Sequence, residues 1–249
     1  MPKFFVKNNQ IKDNKIEIIG EDIKHINKVL RKKVEDELTI CDTDNSQDYL
    51  CKISKIEDKK IECEILNKIE KIVESQIKVT IFQGLPKADK MELIIQKSVE
   101  LGVYDITPVE MNRSIVKLSD KDKEKKLQRW RKISEVASKQ CGRNIIPNIN
   151  EFINIKNICN LCSNYDIVLV AYENERINTL KNELERLKKS TKKDLKIAII
   201  IGPEGGIEEK EIELLKNSQA KIVTLGKRIL RTETVALNML SILMYELEN

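Results

Sequence analysis

The 249-residue sequence predicts an α/β chain in two parts, a small β-rich, barrel-like domain followed by a larger domain on a parallel sheet. Three observations predict it. Residues 1–72 hold short apolar stretches separated by polar turn clusters. From about residue 76 the pattern changes to apolar strands alternating with amphipathic helices. The later strands, DIVLVAYE, KIAIIIG and KIVTLG, are continuous apolar runs, as expected where helices cover both faces of a sheet.

In the first part, FFV, KIEIIG, ELTICDT, YLCKISKI and KKIECEIL read as strands, with KNNQ, DTDNSQ and EDKK as their punctuation. One helix interrupts them in EDIKHINKVLRKK, where Ile23, Ile26, Val29 and Leu30 recur at helical spacing. The junction falls in the short charged stretch KIEKIVESQ, giving domains 1–72 and 73–249.

In the second part, IKVTIFQGL reads as a strand, ADKMELIIQKSVELG as a helix and DITPVE as a strand. A helix follows over roughly 119–141. RINTLKNELERLKK, IEEKEIELLKN and ETVALNMLSILMYELE are the helices between and after the three apolar strands. Ligands of such sheets bind beyond the carboxyl ends of the strands, which singles out the loops after DIVLVAYE, KIAIIIG and KIVTLG. The last loop, GKRILRTET, brackets two apolar residues with Arg228 and Arg231, and Thr232 or Thr234 is suited to cap the final helix.

Charge and cysteine usage narrow the function. The net charge of +5 resides in the middle of the chain, where residues 75–150 carry 15 basic and 9 acidic side chains. A basic surface suits a polyanion such as RNA; the bland alternative is a solvated helix such as SDKDKEKKLQRWRK. Cys159 and Cys162 form a C-x-x-C pair, but no second pair has metal-ligand spacing and His25 is the single histidine. The expectation is six reduced, mostly buried thiols and no metal. One histidine also argues against Ser–His–Asp or Cys–His machinery. No apolar run approaches the ~20 residues of a spanning helix. MPKFFVKNNQ lacks the apolar centre of a secretory signal. A cytoplasmic chain with no membrane partner is expected.

The loop IGPEGG raises the question of its ligand. It contains neither G-K-[ST] nor G-x-G-x-x-G. Glu204, Glu208 and Glu209 crowd the helix start that follows, where they satisfy the dipole and repel phosphate. A neutral or cationic ligand fits better, and S-adenosylmethionine is one. Gly205 and Gly206 would let the backbone approach a flat base, and Pro203 would stiffen the loop. The alternative is a tight turn that holds nothing.

IGPEGG and, about twenty residues later, LGKRILRTETVAL closely resemble the paired C-terminal motifs of the RsmE family. These SPOUT-superfamily enzymes methylate N3 of a uridine in small-subunit ribosomal RNA. HINKVLR (25–31), QGLPKADKMELIIQKSVELGV (83–103), NRS (112–114), RW (129–130) and ASKQCGRNIIP (137–147) match the same family in order, so the resemblance spans essentially the whole chain. Two departures stand out. Lys3 replaces an expected arginine, keeping the charge but not the bidentate fork. Val235 interrupts the usual ETA and narrows the expected cofactor pocket.

The resemblance implies a PUA-like RNA-binding barrel over 1–72 and a SPOUT methyltransferase domain over 73–249. The implied trefoil knot and cofactor site cover about 166–240, and the family works as a homodimer. S-adenosylmethionine is then held by Ala171 and Tyr172, by Ile201, Gly202 and Gly206, and by Leu225, Gly226, Ile229 and Leu230. Arg231 is the candidate cation for the oxyanion that develops on the uracil, or else a structural partner of Glu204 or Glu233. Glu204 and Glu233 are candidates for base or orienter, with an ordinary first-turn helix acid as the bland reading of Glu233. The RNA falls to His25, Arg31, Lys87, Lys90, Arg113 and Arg143, the last on an exposed turn in QCGRN. The substrate is small-subunit ribosomal RNA or the assembled subunit. The competing readings are a ribose 2′-O-methyltransferase of the same superfamily and a non-catalytic RNA-binding or ribosome-assembly factor.

Overall fold

The computed structural model describes residues 3–70, 73–189, 192 and 194–248. It divides into two compact units, residues 1–74 with 138–146, and residues 75–137 with 147–249. The expected junction at Lys71 and Ile72 lies outside the described residues.

The first unit is a six-stranded sheet. Its strands are β1 (Lys3–Val6), β2 (Ile11–Lys12), β3 (Lys15–Ile19), β4 (Glu37–Asp42), β5 (Gln47–Ile56) and β6 (Lys60–Ile69). They lie in the order β1-β4-β5-β6-β3-β2. β1 joins β4 in parallel, and the other pairs are antiparallel. The period-two pattern sets the inner face: Ile16 and Ile18 of β3 are buried while Lys15, Glu17 and Ile19 face out. Phe4, Leu38, Ile40, Ile53 and Ile61 complete this core. The helix between β3 and β4 is shorter than expected. α1 (Glu21–Lys24) continues as a π-helical turn, His25–Val29, and stops at Leu30. Arg31 takes a left-handed φ of 52°, and the Lys32 N–H closes back on the Ile26 carbonyl at 3.1 Å.

The QCGRN segment departs from expectation. Arg143 is not presented on an exposed turn: it is only 7% exposed, and its guanidinium is ion-paired with Glu74 at 2.6 Å. The same Glu74 carboxylate accepts the Asn144 N–H at 2.9 Å. From the other side the buried Lys3 ammonium donates to Asp48 (2.6 Å), the Gly142 carbonyl (2.8 Å) and Asn144 Oδ1 (2.7 Å). These three divergent acceptors, with the Arg143 carbonyl farther off at 3.2 Å, suit a compact three-donor ammonium, so this site has no need of arginine's planar fork.

The second unit is an all-parallel sheet of β7 (Lys78–Gly84), β8 (Asp105–Glu110), β9 (Asn148–Ile149), β10 (Ile153–Asn154), β11 (Ile167–Ala171), β12 (Lys196–Ile201) and β13 (Lys221–Val223). The order is β10-β8-β7-β12-β11-β13, with β9 also beside β8. The helices are α2 (Lys90–Glu100), α3 (Asp120–Cys141), α4 (Ile155–Leu161), α5 (Leu180–Leu187), α6 (Glu209–Asn217) and α7 (Thr232–Leu247); the last turn of α3 belongs to the first unit. Successive side chains enter opposite cores. Ile197, Ile199 and Ile201 pack with residues of α2, α3, α5 and α7. Ala198 and Ile200 pack with residues of α4 and α6. Both faces are covered, which is why these strands are apolar throughout.

Candidate functional site

Four adjacent strands, β7, β12, β11 and β13, end at one level, because Ala171 is in register with both Ile201 and Val223. The loops leaving β11, β12 and β13 therefore rise from a common edge and enclose a cleft of about 590 Å³. That volume falls in the range of small-molecule sites, ~300–1,000 Å³. Ala171, Tyr172, Ile201, Gly202, Gly206, Leu225, Gly226, Ile229 and Leu230 all stand on its walls. Val235 is on the wall too.

The glycine loop owes its composition to packing within the chain. A Cβ at Gly205 would lie 2.8 Å from the Arg113 carbonyl, and one at Gly206, whose φ is 72°, would overlap the Glu173 carboxylate. The expected role of these two glycines, admitting a flat ligand over their Cα atoms, is thus taken by protein atoms. The helix start beyond the loop is also satisfied from within. The Glu211 carboxylate accepts the Glu208 N–H at 3.1 Å and the Asn112 N–H at 3.0 Å, and Asn112 donates its amide to Glu208 at 2.5 Å. Carboxylates occupy the place a phosphate would take.

Thr232 ties the two motifs together. It is the first residue of α7 rather than its cap, which is Arg231, and its hydroxyl donates to the Gly202 carbonyl at 2.7 Å. The buried Gln83 amide donates in turn to Thr232 Oγ1 at 2.8 Å.

The acids of the site pair with Lys90. Its ammonium lies 3.0 Å from Glu204 Oε1 and 3.2 Å from Glu233 Oε2. The second contact is an ion pair without an aligned hydrogen bond, since that oxygen has no hydrogen-bond partner. Both Glu204 oxygens also accept the Lys87 N–H, at 3.1 and 3.2 Å. Partial burial raises the Glu204 pKa, but Lys90 and the main-chain donors outweigh it and hold the carboxyl below its ordinary value. Arg231, on the cleft wall and exposed, makes no ion pair among the described residues, so the salt bridge weighed for it with Glu204 or Glu233 is not formed.

The candidate RNA residues are split. His25 and Arg31 are exposed on the first unit; Lys87 and Arg113 are exposed on the second. Lys90 lines the cleft with its charge committed to two carboxylates, and Arg143 is buried. Sequence reasoning missed Glu173 and Arg176 on the cleft wall. It also missed Glu175, whose Oε1 accepts the N–H groups of Arg176, Ile177 and Asn178 at 2.9, 2.8 and 3.1 Å and so shapes the loop after β11. No motif marks a loop folded around its own carboxylate.

Among the described residues no group of His, Cys, Asp or Glu is arranged to hold a metal, and no helix is long and apolar enough to cross a membrane. Burial pushes the Cys51 and Cys63 thiols up to about 12, far from nucleophilic range.

Two domain families match the chain: an RNA methyltransferase domain over residues 73–244 and an RNA methyltransferase PUA domain over residues 18–66. Fold and cleft thus define an RNA methyltransferase with a PUA-like domain before its catalytic one. Ribosomal RNA small subunit methyltransferase E of Bacillus subtilis is 36% identical over 231 residues, 93% of this chain and 90% of its own length. The protein of that name from Mesomycoplasma hyopneumoniae is 34% identical over 97% of this chain and 98% of its own. The crystal structure of the Neisseria gonorrhoeae protein of that name, bound to S-adenosyl methionine, superposes with a TM-score of 0.85 at 29% identity, covering 98% of this chain and 97% of that one. The chain belongs to the ribosomal RNA small subunit methyltransferase E family, within the SPOUT superfamily.

Proposed function

We propose that this protein transfers a methyl group from S-adenosylmethionine to N3 of a uridine in small-subunit ribosomal RNA. One observation carries the reading: the loops after β11, β12 and β13 form a single cleft whose walls combine apolar side chains such as Leu225 and Leu230 with the carboxylates Glu173 and Glu204, while the start of α6 beyond the glycine loop is closed to phosphate by Glu211. That chemistry fits an adenosine without phosphates and a cationic centre. It is supported by the S-adenosyl methionine held in the related Neisseria gonorrhoeae structure.

When bound, the cofactor supplies an electrophilic methyl group on a sulfonium. The chain's residues divide the remaining work. Leu225, Ile229 and Leu230 offer apolar surface to the base of the cofactor. Arg231, at the cap of α7 and without an ion pair among the described residues, supplies positive charge for the uracil oxygen that becomes negative as N3 loses its proton; one such preorganised donor is worth ~10²–10³-fold in rate. Glu204 and Glu233 act as orienters, since Lys90 engages both, and the N3 proton leaves to solvent water.

The first domain, with exposed His25 and Arg31, and the second, with exposed Lys87 and Arg113, contribute RNA contacts. Arg143 and Lys90 are withdrawn from that role. The finer architecture belongs to the same reading: a trefoil knot over about 166–240, supported by β13 lying beside β11 with the chain beyond it latched to Gly202. A homodimer is supported by the exposed Tyr245 on the otherwise largely apolar α7.

Parallel calorimetric titrations with S-adenosylmethionine and GTP test the donor. Micromolar binding of the first and none of the second is expected; binding of GTP alone overturns the reading.

A further inference from the structure

Lys90 occupies an electrostatically unfavourable position. It is the first residue of α2, where the helix dipole opposes a cation, and its side chain is about a quarter exposed. What offsets this is a pair of acids brought from two other elements: Glu204 from the loop after β12, and Glu233 from the first turn of α7. The loop leading into α2 contributes a second tie, the Lys87 N–H on both oxygens of Glu204. The cluster thus carries two carboxylates on one ammonium, a net negative charge against the cleft. Other charged groups close by are Asp89 beside Lys90, Arg231 at the cap of α7, Arg113 with its guanidinium 3.4 Å from the Gly205 carbonyl, and Glu173 against Gly206.

We infer that Lys90 is a positioning residue of the transfer site: by bridging Glu204 and Glu233 it fixes the glycine loop against the start of α7 and leaves Arg231 free to face the reacting base. The inference rests on the cleft being the methyl-donor site. It assigns neither acid a proton to carry. Without the ammonium, two carboxylates that share one nitrogen repel each other, and the loop parts from α7 unless one of them takes up a proton. The loss is therefore largest at high pH, where both are ionised.

Two readouts test this on the full-length protein. Carbon-13 side-chain NMR of Glu204, assigned with Glu204→Gln, follows its titration without any ligand. In wild type it titrates below the ordinary carboxylate value, in Lys90→Met above it, and in Lys90→Arg it returns below. An unchanged Glu204 titration in Lys90→Met overturns the inference. Titration with S-adenosylmethionine at pH 6 and 8.5 is the second readout. Lys90→Met is expected to bind roughly tenfold more weakly than wild type at pH 8.5 and to recover part of that loss at pH 6, with Lys90→Arg close to wild type. An equal loss at both pH values, in a Lys90→Met protein whose Glu204 carbon-13 titration lies above pH 6, reveals a merely steric role and overturns the inference. If wild type binds no S-adenosylmethionine, the donor reading fails, while the Glu204 titration still decides what Lys90 does.

Discussion

Thr232 donates its hydroxyl proton to the Gly202 carbonyl across 2.7 Å, joining the start of α7 to the end of β12 over thirty residues of chain. Gln83 donates to the same hydroxyl from the neighbouring strand β7. Thr232 is buried and its hydroxyl both donates and accepts, so three of the elements around the cleft are joined through one oxygen. Thr232→Val keeps the shape, leaves the Gly202 carbonyl without its hydroxyl donor and removes one of the two hydrogen bonds of the Gln83 amide, which keeps the Gly84 carbonyl at 2.9 Å, a cost of about 1–3 kcal/mol. In thermal denaturation the transition of the second unit is expected to fall by roughly 2–4 °C per kcal/mol. An unchanged transition would show that the latch contributes nothing.

Arg231 is the cation of the cleft assigned to the chemistry. Arg231→Ala is expected to lower the methyl-transfer rate by ~10²–10³-fold while S-adenosylmethionine binding stays within a few-fold of wild type. Single-turnover kinetics beside calorimetry separates the two. Retained activity would remove Arg231 from the mechanism.

Lys3 and Asp48 form a buried ion pair at 2.6 Å in the first unit. Lys3→Met strands the carboxylate and is expected to destabilise that unit by about 3–5 kcal/mol. Lys3→Met combined with Asp48→Asn should recover part of the loss. Urea denaturation reads both, and equal stability of single and double variants would contradict the assignment.

Glu175 gathers three main-chain N–H groups, and those of Ile177 and Asn178, set against a smaller effect of burial, hold its pKa below the ordinary carboxylate value. A depressed folded-state pKa gives stability that is complete above the unfolded value, ~4.3, and is lost as pH falls through the folded one. Amide exchange at residues 176–178 should therefore be protected at neutral pH and lose protection below about pH 4. Glu175→Gln should weaken protection at neutral pH and abolish that dependence. A wild-type loop whose protection is flat down to pH 3 would refute the capping role.

Much of the architecture was legible in the sequence because it rests on period and run length. The apolar runs at 167–171 and 196–201 are strands buried on both faces, and 232–247 is a helix apolar enough to fill a core. What escaped were short elements held by local polar contacts. α4 is capped by Asn154, whose side chain accepts the Asn157 N–H at 3.1 Å while its own N–H reaches Asn157 Oδ1 at 3.0 Å; the apolar period of Ile155, Ile158 and Cys162 spans only two turns and is interrupted by Asn157 and Asn160, too short to stand out. The motif residues at the cleft were legible as a set, whereas their pairings were not. Nothing in the spacing says that Lys90 rather than Arg231 takes Glu204 and Glu233, since that choice depends on where α2 begins relative to α7. Arg143 misled because glycine and asparagine flank it, a turn signature that is silent about a carboxylate sixty-nine residues earlier.

The most direct test of the central claim is nucleoside analysis of small-subunit ribosomal RNA after incubation with the purified protein and S-adenosylmethionine labelled in its methyl group. RNA lacking the modification would be offered both free and as assembled subunits, then digested and resolved by mass spectrometry. Label is expected in 3-methyluridine from at least one of the two substrates, and ~10²–10³-fold more slowly with the Arg231→Ala protein. Label confined to a 2′-O-methylated ribose, or no label from either substrate by a protein that binds the cofactor, would contradict the central claim.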